Sequence, residues 1–189
     1  MEFDTNDIKL KGIYAGVPKN ISFFADEIDI YNQEPGNSHK LQKSMGFDQH
    51  RICRNETTVK EIAVDIIRAY IDEGNIKKDD IDALIVISQI PDHFIPNMSS
   101  QIHGELELNQ NCFCLDINDG CAGFLRGVSL ASLIVQNDDV QNILVVTGDI
   151  LSRKVSNRDR NSFPLIGDAV TVSHFIKSDT ESKLPRGKI

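Results

Sequence analysis

Residues 83–88 read Ala-Leu-Ile-Val-Ile-Ser, an unbroken apolar run rich in branched side chains. A short run of this kind is a strand buried on both faces. Just upstream, Val59, Ile62, Ala63, Ile66, Ile67 and Tyr70 recur at spacings of three and four, which places them along one face of a helix. Thr58 and Glu61 form a capping box at its start, and Gly74 supplies its stop. Downstream the pattern repeats. Residues 112–117 and 142–147 read as strands, with a long apolar segment, 122–135, as the helix between them. Strands joined through helices are parallel, connect with a right-handed crossover, and put helices over both faces of the sheet.

The flanks are less regular. Residues 8–15 are β-like, residues 21–31 mix apolar and acidic side chains, and residues 32–43, with Pro35, Gly36, Asn37 and Ser38, form a polar loop. A last strand, 169–176, alternates less cleanly. Residues 1–176 are read as one unit, followed by an exposed polar linker at 177–189 that points to a second domain missing here or carried on another polypeptide.

A chain of 189 residues buries roughly 70% of its unfolded surface, enough for a core without disulfides or metals. The hydrophobic fraction of 40% and charged fraction of 25% are those of a soluble globular protein. Twenty Lys and Arg against 28 Asp and Glu leave a net charge of −8, which argues against a general nucleic-acid binder. Glu2, Asp4 and Asp7 stand where a secretory signal needs basic residues, and no apolar run approaches a membrane span, so the expected location is the cytoplasm. Cys53, Cys112, Cys114 and Cys121 have neither the density of a disulfide scaffold nor the spacing of a zinc site; no metal is expected.

Cys121 lies in Asp119-Gly120-Cys121-Ala122-Gly123-Phe124, past a predicted strand and at the opening of a predicted helix. There the positive end of the helix macrodipole stabilises a thiolate, and backbone N–H groups can receive a developing oxyanion. Gly120 and Gly123 permit a tight turn and close approach of a substrate. A buried cysteine acting as a small hydrophobe is the alternative from position alone.

The residues around it resemble the β-ketoacyl-acyl-carrier-protein synthase III enzymes of the thiolase-like superfamily. Cys121-Ala122-Gly123-Phe124 looks like the family's nucleophile signature, and residues 148–153, Gly-Asp-Ile-Leu-Ser-Arg, resemble the segment after its next strand. Asp159-Arg160 and Ile166-Gly167-Asp168-Ala169 resemble its Asp-Arg pair and its Gly-Asp-Gly-Ala motif. Met45-Gly46-Phe47 with Arg51-Ile52 resembles its Thr-Gly-Ile turn, and Pro96 with Gln101-Ile102 a helix start. The likeness covers the N-terminal half of such an enzyme.

The resemblance implies a thiolase-like α/β fold with a mixed, mainly parallel five-stranded sheet. It implies decarboxylative Claisen condensation in fatty acid or related polyketide synthesis: a cysteine takes an acyl group from a thioester, and malonyl carrier protein then attacks it. Cys121 would be the nucleophile, and its own N–H an oxyanion donor. Coenzyme A or phosphopantetheine thioesters enter as substrates, with no other cofactor. The implied partners are acyl carrier protein, acyl-CoA, a second copy in a homodimer paired through the strand leading to Cys121, and the missing C-terminal half, which in the family carries a catalytic His and Asn. Arg153, Arg158 and Arg160, with Lys154, form a basic cluster suited to an anionic carrier or pantetheine, or alternatively a solvated loop. Ile95 aligns with the position, usually Phe, that lines the partner subunit's acyl pocket; ordinary packing is the other reading.

The chain departs from the family in having no Trp, often used to stack the adenine, and in carrying Asp48 where an Arg usually follows the turn. Both favour another acyl donor or a carrier-bound one. All five histidines are assigned structural or solvent roles. Two rivals stand beside the enzyme: a non-catalytic half-subunit that scaffolds a partner, and a thiol-redox protein, which predicts reversible pairing among Cys112, Cys114 and Cys121.

Overall fold

The computed structural model describes residues 7–27, 30, 40, 42–53, 56–159 and 161–178. Its strands are β1 (Ile8–Gly16), β2 (Ile21–Phe23), β3 (Gln49–Arg51), β4 (Ala83–Ile87), β5 (Phe113–Ile117), β6 (Asn142–Asp149) and β7 (Ala169–Lys177). Its helices are α1 (Phe24–Glu27), α2 (Val59–Asp72), α3 (Met98–Leu106) and α4 (Gly123–Ile134). Of the expected loop at 32–43 only residues 40, 42 and 43 are described, and they are helical; of the linker at 177–189, Lys177 closes β7 and the Ser178 N–H donates to the Asp7 carbonyl at 2.8 Å, the rest lying outside the described residues.

Five strands form one sheet in the order β1-β7-β6-β4-β5, while β2 and β3 pair separately. β4 runs parallel to β5 and β6; β7 runs antiparallel to β6 and to β1. β1, β6, β4 and β5 therefore all run one way and β7 alone runs against them, so the expected mixed, mainly parallel sheet holds with one reversed strand. The reason lies in the connections: helices carry the chain from β4 to β5 and from β5 to β6, whereas the segment between β6 and β7 contains only the 3-10 turns Leu151–Arg153 and Phe163–Leu165. Without a crossover helix the chain returns antiparallel.

The run at 83–88 is explained by alternation across two cores. Leu84 and Val86 face α2 and α3 together with Leu144, Val146, Val170 and Val172. Ala83, Ile85 and Ile87 face the side of α4, with Ile143, Val145, Ala131 and Phe175. β7 is buried by both layers and lies between two strands, which is why its sequence does not alternate cleanly. α2 starts at the predicted capping box: Thr58 accepts from the Glu61 N–H and the Glu61 carboxylate accepts from the Thr58 N–H. A third cluster pairs Phe24 with Phe163.

His174 sits at the centre of β7, 1% exposed, with Nδ1 2.9 Å from the Tyr70 hydroxyl and Nε2 3.1 Å from Asn142 Oδ1. Burial, with a smaller push from Lys11, holds its pKa down to about 4. The unfolded chain takes up this proton near pH 6.5 and the folded chain does not. The full stability is therefore present above about pH 6.5 and falls as pH drops toward 4, by roughly 3 kcal/mol for this group. His174→Gln should flatten that limb, measured as the change in urea unfolding free energy between about pH 7 and about pH 4.5. An equal fall in parent and variant would assign the acid sensitivity to other groups.

Candidate active site

The register of the parallel strands brings Ile87 opposite Ile117 and Thr147, so the loops that leave β4, β5 and β6 meet at one edge. Crevices outside the carboxyl ends of parallel strands are where open α/β sheets bind ligands. Here carboxylates and amides lock the loops. Asp149 Oδ1 accepts from the Ser88 hydroxyl (2.6 Å) and from the N–H groups of Gln89 (3.0 Å) and Ile90 (3.1 Å). The Asn118 side-chain amide donates to the carbonyls of Ser88 (3.3 Å) and Gln89 (3.5 Å) from the other side.

Cys121 follows directly. Asp119 accepts from the Gly120 N–H at 2.8 Å and pairs with Arg126, two turns along the helix, and the Gly123 N–H closes a turn on the Gly120 carbonyl at 2.8 Å. Cys121 lies exposed on that turn, two residues ahead of Gly123, the first residue of α4. Ala122 is the N-cap and offers no side-chain acceptor, so the start of α4 is left uncapped by side chains, unlike that of α2. Gly120 and Gly123 make the tight turn read in the sequence, and Gly123 has a second role that it shares with Gly127. A Cβ on Gly123 would lie 2.5 Å from Ile87, and one on Gly127 2.4 Å from it. They let α4 settle directly on β4, which fixes the height of the Cys121 turn above the sheet.

Beside this edge lies a cavity of about 110 Å³ bordered by Val86, Ser88, His93, Met98, Asp116 and Asn118. Asp116 is engaged there, accepting from the N–H groups of Met98 (2.7 Å) and Ser99 (2.8 Å) at the start of α3. A second cavity, about 240 Å³, is bordered by Thr58, Asp92, His93, Arg153 and Lys154. Arg153 donates to the Thr57 carbonyl across it. Asp92 caps α2 through the N–H groups of Val59 and Lys60. Cys121 borders neither cavity.

A family profile described as 3-oxoacyl-[acyl-carrier-protein (ACP)] synthase III matches residues 115–184, the stretch that contains Cys121 and its turn. The chain is a relative of that family. A β-ketoacyl-[acyl-carrier-protein] synthase III of Clostridium botulinum strain 657 is 27% identical over 182 residues, 95% of this chain and 53% of that protein. One from Clostridium tetani is 31% identical over 135 residues, 70% of this chain and 39% of that protein. The crystal structure of a 3-oxoacyl-(acyl-carrier protein) synthase from Burkholderia xenovorans LB400 superposes with a TM-score of 0.87 at 23% identity, covering 95% of this chain and 50% of that one. The fold is thus the thiolase-like one. The chain spans about half the length of the curated relatives it matches.

Within this synthase III relative, the residues singled out from sequence do not converge on one spot. Arg153 and Lys154 share the second cavity with His93, and Arg158 is exposed on the following loop. Arg160 lies outside the described residues. Ile95 is 91% exposed and its neighbour Phe94 82%, so Ile95 packs into no core of this chain. The histidines that are described and buried have structural partners: His50 lies between Glu27 (2.7 Å) and the Ile166 carbonyl, and His174 between Tyr70 and Asn142. Among the described residues no group of three or more His, Cys, Asp and Glu is placed to hold a metal, and no helix is long and apolar enough to cross a membrane.

Sequence reading named Asp149 and Asp168 only as parts of motifs and missed how carboxylates tie the loops. Asp82 accepts from the N–H groups of Gln141 and Asn142 (both 2.8 Å), and Asp168 joins three segments. The signal was present as isolated acids at or beside the ends of apolar runs, where a charge is tolerated only with partners.

Proposed function

We propose that the chain is the N-terminal half of a 3-oxoacyl-acyl-carrier-protein synthase III-type acyltransferase of fatty acid or related polyketide synthesis. The observation that carries this reading is the exposed Cys121 thiol, on a turn between the carboxyl end of β5 and the side-chain-free start of α4, inside the matched stretch. The deprotonated sulfur attacks the carbonyl of an acyl-CoA or carrier-bound thioester. N–H groups at Cys121 and the first turn of α4 receive the oxyanion, and the displaced thiolate leaves as an acyl-Cys121 forms. Malonyl carrier protein then loses carbon dioxide, and its carbanion attacks the acyl carbonyl. A carbon–carbon bond forms, and the Cys121 sulfur is released.

That second step needs donors for the enolate oxygen, which this reading assigns to the other half of the protein. Arg153, Lys154, Arg158 and Arg160 offer positive charge against the −8 background for an anionic carrier protein. The reading takes the parent as a cytoplasmic homodimer joined through β5, an edge strand, with the exposed Ile95 reaching toward the second subunit. The second reading is a half-subunit that scaffolds or completes a partner without condensing.

Intact-mass spectrometry after incubation with a panel of acyl-CoA thioesters tests the proposal, on this chain alone and joined to its complementary half. An acyl adduct is expected on the parent and its complete loss in Cys121→Ser. An adduct that survives in Cys121→Ser would place the nucleophile elsewhere. Absence of any adduct with the complementary half present would favour the scaffolding half-subunit.

A further inference from the structure

We propose that Asp119 and Arg126 are positioning residues for Cys121: the Asp119 carboxylate sets the turn that carries the thiol, and the Arg126 guanidinium cancels the charge that this carboxylate brings. This role rests on Cys121 being the nucleophile of the proposed acyl transfer. Asp119 stands two residues ahead of Cys121, and Arg126 is the fourth residue of α4. Taken singly, each is misplaced. An acid beside a thiol opposes its thiolate, and a cation in the first turn of a helix opposes the positive end of the macrodipole. Two residues that break local rules together, next to a reactive group, point to a role at the site.

The geometry makes the two offset each other. Asp119 Oδ1 accepts from the Gly120 N–H at 2.8 Å, and the Arg126 guanidinium donates to Oδ2, so the two oxygens are committed in different directions. The side chain lies against the opening of α4: a Cβ on Gly123 would sit 3.3 Å from the Asp119 Cβ and 3.9 Å from its carboxyl carbon. The Asp119 side chain is 17% exposed and that of Arg126 66%. The carboxylate is therefore the anchored partner, and the guanidinium reaches it from the solvent side.

Without Arg126, a largely buried negative charge would stand beside Cys121 and beside a helix start that no side chain caps. It would oppose both the thiolate and the oxyanion of the acyl-transfer step. The other acids at this edge are held by backbone N–H groups: Asp116 by those of Met98 and Ser99, and Asp149 by those of Gln89 and Ile90. His93 borders the cavity beside Asn118. Asp119 and Arg126 are thus the charges that the Cys121 turn itself carries into the site.

The test reads alkylation of Cys121 by iodoacetamide in the full chain, where the sulfur displaces iodide and no acyl donor takes part. Cleavage before aspartates leaves Cys121 as the one cysteine on a peptide that ends at Asn137, and Cys121→Ser supplies the blank. A pair this exposed contributes little to stability, so the variants should keep the parent's thermal midpoint. Near pH 7, Arg126→Gln should alkylate about fivefold more slowly than the parent, and the gap should close toward about pH 10, where both are thiolates. Arg126→Lys, which keeps the charge, should recover most of the rate. Asp119→Asn keeps an acceptor for the Gly120 N–H; combined with Arg126→Gln it should return the rate to within about twofold of the parent. An Arg126→Gln chain as fast as the parent, a slowing of equal size at every pH, or a double variant no faster than Arg126→Gln would overturn the assignment. A chain that alkylates as expected yet never accepts an acyl group would overturn the acyltransferase reading instead, and leave the effect of the pair on the thiol in place.

Discussion

Asp168→Ala is expected to lower the unfolding free energy by about 3–5 kcal/mol, a large share of what a domain of this size possesses. The side chain is 1% exposed. Its Oδ2 accepts from the Cys53 N–H at 2.7 Å and the Ser152 hydroxyl at 2.6 Å, and its Oδ1 from the Ser152 N–H at 3.1 Å. Its own N–H donates to the Arg51 carbonyl at 2.9 Å. One carboxylate thus joins the segment after β3, the turn after β6 and the entry to β7, and its removal strands the buried Cys53 N–H and the half-buried N–H and hydroxyl of Ser152. Asp168→Asn keeps the shape but turns a donor toward donors, so it should recover only part of the loss. Urea unfolding with an unchanged slope would measure it, and a midpoint shift equivalent to less than about 1 kcal/mol would mean that water replaces the carboxylate.

Gly148→Ala should cost about 3 kcal/mol or more. Gly148 pairs with Val170 across β6 and β7. A Cβ there would lie 2.7 Å from the Ala169 carbonyl oxygen, the Val170 Cα and the Val170 Cγ2. Two of those three atoms are backbone, held by a nine-residue strand between two neighbours, so relief requires opening the ladder rather than turning a side chain. Gly104→Ala is the control. It lies within α3 with nothing within 4 Å of the added carbon, and should gain about 0.5–1 kcal/mol from helix propensity. Thermal unfolding of the two variants side by side checks the contrast; a Gly148→Ala protein as stable as the parent would show that the two strands part easily at that point.

What the sequence revealed depended on periodicity. The run at 83–88, the face of α2 and its capping box are each encoded within one segment, so their reading needed no partner. β2, β3 and α1 are three or four residues long and carry no repeat, and they form because Phe24 meets Phe163 and His50 meets Glu27 across large sequence separations. The direction of β7 was hidden for the same reason: an antiparallel return is decided by the connection, not by the strand's own residues. At the site, the position of Cys121 beside a helix start was legible because strand and helix patterns meet there. The close packing of Gly123 and Gly127 on Ile87 was not, since nothing local names the residue on the other side. The basic residues show the converse. Arg153 and Arg158 are near in the chain, yet only Arg153 faces the cavity beside α2.

The order β1-β7-β6-β4-β5 places the first strand of the sheet against the last, from Ile8 opposite Lys177 to Gly16 opposite Val170. On the ribosome, where the N-terminal end emerges first, β1 waits through the synthesis of some 150 further residues before its partner exists. Until then its ladder groups are open to any other extended segment, including those of neighbouring nascent chains. The sheet therefore closes in one late event, and the yield of this protein in cells should respond more to the speed of translation and to chaperone supply than its equilibrium stability alone would suggest.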